Sequence, residues 1–232
     1  MVEELLVGTC GWDHDAWVGE YYPADLPRDW RLSYYCTGLR SVLVPEASWV
    51  GVTPADTAVW AEDSYPEFRF VLALPAELAS PQPFSVAEQR LHEFLKLIAP
   101  IRSQVAGLLV TLGPEASAVE AWLREMVPLV KRHYRLCADL ADPLRGQADI
   151  TEALARQGIG LCWRAEVQAS PAGGGEFLVA LSREHEPGAQ RRLIEALDRW
   201  MGEARGAALF FDGPRAGVNA SQARTIAELL GV

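Results

Sequence analysis

The residues able to do chemistry in this chain lie where short apolar runs give way to polar ones. Read along the sequence, those places hold Cys10, Trp12, Glu46, Trp49, Asp139, Asp142, Trp163, Arg164, Glu166, His185 and Asp212. Asp139 with Asp212 would make an acid pair, and Glu46 could serve as a third carboxylate. Arg164 could neutralise one acid or clamp a ligand carboxylate or phosphate through its planar fork. Such a set suits hydrolysis or elimination, provided that at least two carboxylates face one cavity within about 9 Å. A second constellation is aromatic: Trp12, Trp17, Tyr22, Trp49 and Trp163 could line a pocket for a planar ligand.

Each of these residues also has an ordinary reading. Carboxylates at strand ends bond loop amides or cap helices, an arginine beside them forms a salt bridge, and tryptophans fill space. No metal is expected. His14, His92, His133 and His185 lack a histidine partner four residues on, and a hydrolytic metal centre needs three or more converging ligands. Cys10 is a weak nucleophile candidate, with no histidine in evident reach. No cofactor is expected either: no Gly-x-Gly-x-x-Gly follows the first apolar run. The glycine-rich stretch 170–175 precedes a strand rather than opening a helix, which misses the geometry of a phosphate cradle.

These residues must be positioned by eight short apolar runs, which the pattern places at 5–12, 41–44, 68–74, 106–112, 134–140, 160–164, 177–181 and 207–211. Runs with so few polar residues read as strands buried on both faces. Nearly all alternate with helical segments. Thr53-Pro54 opens one, and capping signals begin others at Ser85 to Glu88, Ser117 to Glu120, Asp149 to Glu152 and Asn219. Gly158 and Gly231 end two of them. Buried parallel strands joined by crossover helices, eight times over, predict a single TIM-like (β/α)8 barrel of the α/β class spanning the chain. Working residues in such a barrel sit at the C-terminal ends of its strands.

The segment Val7-Gly8-Thr9-Cys10-Gly11-Trp12, with Trp17, Gly19 and Tyr21-Tyr22-Pro23, resembles the opening of the DUF72 family of proteins of unknown function. Members read Gly-Thr-Ser-Gly-Trp, then Trp-x-Gly, then Phe-Tyr-Pro. The resemblance continues through Pro54, Trp60, Pro66 and Phe68-Arg69-Phe70, and more loosely at 139–143, 210–212 and Asn219-Ala220. It implies a TIM-like barrel. Because that barrel is similar to metal-dependent nuclease barrels, it also raises a nucleic-acid role. The family's polar residues are mostly replaced here. Val-Glu-Ile-Asn-Ser-Thr-Phe-Tyr becomes Val42 to Trp49 without the Glu and Asn, and a Lys falls on Ala73. Glu-Phe-Arg-His falls on Asp139 to Asp142, and Arg-Leu-His-Gly on Ala180 to Arg183. Losing those groups together implies a degenerate, non-catalytic site that keeps a small planar or anionic ligand, or an interaction module. A hydrolase or lyase with relocated carboxylates is the alternative.

Composition narrows the partners. The formal net charge of −10 opposes nucleic-acid binding, which depends on counterion release by clustered Lys and Arg. No apolar run reaches the roughly 18 residues needed to span a bilayer, so no membrane association is expected. Glu3 and Glu4 stand where a signal peptide carries basic residues, so the cytoplasm is the expected location. Cys10, Cys36, Cys137 and Cys162 contain no Cys-x-x-Cys pair and read as free thiols. No residue pattern sets an oligomeric state.

Overall fold

Ser41–Val44 is buried along its whole length, and Leu136–Leu140 likewise. Backbone with no exposed residue must find all its hydrogen bonds in neighbouring strands, and here each neighbour runs parallel. In the computed structural model, residues 5–80, 82–165, 174–183, 187–201, 206–213 and 218–232 are described. Their strands are β1 (Leu5–Cys10), β2 (Ser41–Val44), β3 (Arg69–Ala73), β4 (Val105–Leu112) and β5 (Leu136–Leu140), followed by β6 (Gly160–Leu161), β7 (Trp163–Arg164), β8 (Phe177–Ser182) and β9 (Gly206–Phe211). They form one parallel sheet in the order β6-β5-β4-β3-β2-β1-β9-β8-β7.

The two ends of that sheet are adjacent in the chain, so the barrel closes through the segment 160–164 itself. The sequence predicts one strand there, and the structure divides it. Gly160 and Leu161 pair with β5, and the Cys162 amide still donates to Ala138 of β5 at 2.8 Å. Trp163 and Arg164 then pair with β8. A segment this short hands over from one neighbour to the other at Cys162. Gly160 permits the approach, since a Cβ there would lie 2.0 Å from the Phe177 carbonyl oxygen.

Side chains alternate between two buried layers, as strand geometry requires. One set, including Leu6, Leu43, Val71, Leu109, Val179 and Phe210, packs on itself with Cys137 and Cys162 and fills the barrel. The other, including Val42, Phe70, Leu108 and Leu209, packs outward against helices such as Phe84–Leu97 and Val218–Leu230.

The predicted helix starts need correction. Thr53 does cap the helix Pro54–Asp63, in a reciprocal box with Asp56. The helices at Phe84, Ala116 and Ala148 begin before the serines and aspartate read as caps, behind Pro83, Glu115 and Gln147, none of which makes a side-chain cap bond. In each, the first turn closes on the carbonyl of that preceding residue: Ala87 bonds Pro83, Val119 bonds Glu115 and Thr151 bonds Gln147. The last helix starts at Val218, and Asn219 donates through Nδ2 to the Gly213 carbonyl at 3.0 Å instead of capping it. The helix after Ala116 also stops at Glu125 and resumes as Val127–Val130, where Pro128 supplies no amide hydrogen.

Candidate functional site

Continuing the inward alternation of each strand to its C-terminal end places Cys10, Thr111, Asp139, Arg164 and Asp212 around the barrel mouth. β5 delivers Asp139 directly opposite Thr111 of β4, and β7 delivers Arg164 opposite Leu181 of β8. Asp139 is buried, 4% exposed. A carboxylate taken out of water must be paired, and Asp139 is paired twice. Arg164 donates through Nη2 to Oδ2 at 2.5 Å and through Nε to Oδ1 at 3.4 Å. Arg145 donates to Oδ1 from the other side, and its second terminal nitrogen bonds the Cys162 carbonyl at 3.1 Å. The hydrogen bond to Asp139 raises the pKa of Arg164 against the opposing effect of burial.

Asp212 belongs to a separate pair, with Arg183 donating through Nη2 at 2.9 Å and Nε at 3.3 Å to the same oxygen. Cys10 lies within the field of both partners. Burial first, and the Asp212 charge second, push its thiol far above the ordinary range. Burial likewise holds Cys137 at about 12. Thiols so shifted carry almost no thiolate near neutral pH. Glu46 forms no pair with either of these acids or arginines. It opens the 3-10 turn Glu46–Trp49 and accepts from the Ala76 amide at 3.1 Å, tying the segment after β2 to the segment after β3.

The aromatic residues do not form one pocket. Trp17 is buried among Tyr21, Tyr22 and Tyr35, with ring centroids 5.5, 5.7 and 6.4 Å away. Tyr22 is buried too and donates its hydroxyl to the Trp12 carbonyl at 2.5 Å. Trp163 faces the helix layer, because its neighbours Cys162 and Arg164 take the inward positions. Trp12 and Trp49 do meet, through Trp60. Trp12 stands edge-on to Trp60 at 5.0 Å, Trp60 lies 5.9 Å from Trp49, and Trp49 meets Phe94 edge-on at 5.2 Å. This ladder runs outside the barrel.

Cavities open on both sides of the ladder. One, of about 780 Å³, lies against Trp12 and Trp60 with Asp13, His14 and Arg28 at its edge. The other, of about 730 Å³, lies between Trp49 and the helix Phe84–Leu97.

Sequence reasoning missed Arg145, although it ends the four-residue helix that starts at Asp142 just past β5. It also passed over Arg183 as a partner. The signal was parity: Arg183 stands two residues beyond inward-facing Leu181. Glu166 and His185 lie outside the described residues. Among the described residues, no group of three or more His, Cys, Asp or Glu could hold a metal ion, and no helix is long and apolar enough to cross a membrane.

The family model for DUF72, a protein family of unknown function, matches residues 6–232. The chain belongs to the DUF72 family. A DUF72 family protein of Thermotoga maritima superposes with a TM-score of 0.80 at 16% identity, over 98% of this chain and 99% of that one. Another, from Enterococcus faecalis, gives 0.74 at 14% identity over 99% and 98%. KGPDC from Streptococcus mutans gives 0.51 at 10% identity over 98% of each chain. At such identities the likeness is one of fold, and it places this DUF72 chain among TIM-barrel-like proteins. No curated protein matches the sequence.

Proposed function

We propose that this DUF72 barrel is a non-catalytic binding protein that holds a small ligand at the end of the fold where its strands terminate. One observation carries the reading: the mouth's two carboxylates sit in separate ion pairs, with Asp139 held between two guanidinium groups. A general base needs a lone pair directed at substrate, and a nucleophile needs an open approach. Both oxygens of Asp139 already accept from arginine, and Glu46 is engaged by a backbone amide. The alternative, a hydrolase or lyase built on Glu46, Asp139 and Asp212 with Arg164, needs those acids to face a shared substrate. Each is instead engaged by a partner of its own.

Asp139→Asn tests the reading. The change takes the shared charge from half-buried Arg145, which keeps only the exposed Asp142 at 3.6 Å as an ion-pair partner among the described residues, and from Arg164, which is 43% exposed and screened by water. We expect a stability loss of about 2 kcal/mol in urea unfolding, below the range for fully buried pairs. We also expect no turnover of ester, glycoside or phosphodiester substrates by the parent chain. Turnover by the parent that Asp139→Asn abolishes would overturn the proposal.

A further inference from the structure

The cavity beside Trp49 has a fixed apolar floor. Trp49 donates through Nε1 to the Ala73 carbonyl at 2.7 Å, and Phe94 braces its ring edge-on. Leu78 and Leu97 extend the surface. A tryptophan whose N–H is already bonded offers a planar face that needs no ordering when a ligand stacks on it.

Charges of both signs line the rim. Glu46 and Glu77 come from the segments that follow β2 and β3, and Arg90 and Lys96 come from the helix Phe84–Leu97. Among the described residues, neither Arg90 nor Lys96 takes part in an ion pair or side-chain hydrogen bond. Glu93, on the same helix, lines the cavity as well and accepts from Gln89 Nε2 at 2.9 Å. One wall therefore offers two acids, the other offers two cations beside the amide-bonded Glu93, and an aromatic floor lies between them.

We propose that this cavity binds a small aromatic zwitterion, a molecule with a planar ring, an ammonium and a carboxylate, as in an aromatic amino acid. The ring stacks on Trp49, the carboxylate turns to Arg90 and Lys96, and the ammonium turns to Glu46 and Glu77. The volume, about 730 Å³, lies within the range of small-molecule sites. A simple anion would meet three glutamates, and a simple cation would meet Arg90 and Lys96. Only a ligand carrying both charges complements both walls. The inference deepens the binding-protein reading and rests on it.

Calorimetry on the full chain compares phenylalanine with its two half-ligands, phenethylamine and 3-phenylpropionate. Phenylalanine is expected to bind at least about tenfold more tightly than either. Replacing both exposed cations, Arg90→Ala with Lys96→Ala, is expected to weaken phenylalanine about tenfold and leave phenethylamine no weaker. Absence of phenylalanine binding up to about 10 mM overturns the proposal, as does binding indifferent to the double substitution. Binding lost instead in Arg164→Ala overturns the cavity assignment while the binding-protein reading stands. Chemical conversion of phenylalanine that depends on Arg90 and Lys96 supports the cavity and sinks the non-catalytic reading.

Discussion

Asp13 shows how single residues at the strand ends are committed to structure. It receives Arg28 at 2.6 Å on one oxygen and Arg31 at 2.6 Å on the other, and Arg31 also reaches Asp15. Arg31 is itself buried beneath this loop, with its guanidinium 5.8 Å from the Tyr22 ring centroid. Burial alone would raise the Asp13 pKa, but the hydrogen bonds from Arg28 and Arg31 outweigh it and hold the carboxyl below its ordinary 3.8. A depressed folded pKa contributes stability that is complete above the unfolded value and disappears as pH falls through the folded one. Asp13→Asn should therefore be less stable than the parent at pH 7. The gap should close on acidification below about pH 4, as the parent's carboxyl protonates. Urea midpoints measured from pH 7 to pH 2 check this, and a gap that persists at the acid end refutes it. The same logic of occupied groups governs Asp139 and Asp212. What sets a residue's chemistry here is the partner that reaches it first.

At the scale of elements, the segment 160–164 decides whether the sheet becomes a barrel. Its two pairs of residues ladder on opposite neighbours, and Gly160 lies against the Phe177 backbone with no room for a methyl group. Backbone cannot retreat as a flexible side chain can. Gly160→Ala is therefore expected to cost about 3 kcal/mol or more, the upper end of overpacking penalties. The measurement is urea unfolding followed by tryptophan fluorescence, and a loss under about 1 kcal/mol would show that β6 can shift away from β8. The 3-10 turn Glu46–Trp49 is the second decisive element. It carries Trp49 onto the outer ladder, and so sets the floor of the cavity between the segments that follow β2 and β3 and the helix Phe84–Leu97.

At the scale of the whole molecule, the charge of −10 and the pairing of mouth arginines with aspartates both oppose a polyanion partner. Fluorescence anisotropy with a labelled DNA duplex at about 0.1 M salt should give no binding below about 10 µM protein, and saturable binding there would contradict it. The architecture was legible in the residues themselves. Apolar runs such as Ser41–Val44 and Gly206–Phe211 must bury both faces, helices must cross between them, and the DUF72 resemblance at Val7 to Pro23 agreed with that count. Helix starts were less legible, because proline geometry and backbone carbonyls outweighed the polar side chains read as caps. The site was the least legible part. Sequence placed Asp139, Arg164 and Asp212 at strand ends, yet it could not reveal that Arg145 would share Asp139 or that Arg183 would take Asp212. It ranked Trp12 and Trp49 with the mouth, whereas Trp60 gathers both onto the barrel's flank. Hydrophobic period is a local property that each stretch of chain carries alone. Which guanidinium meets which carboxylate, and which rings stack, depends on contacts between segments far apart in sequence, and only the closed barrel fixes those.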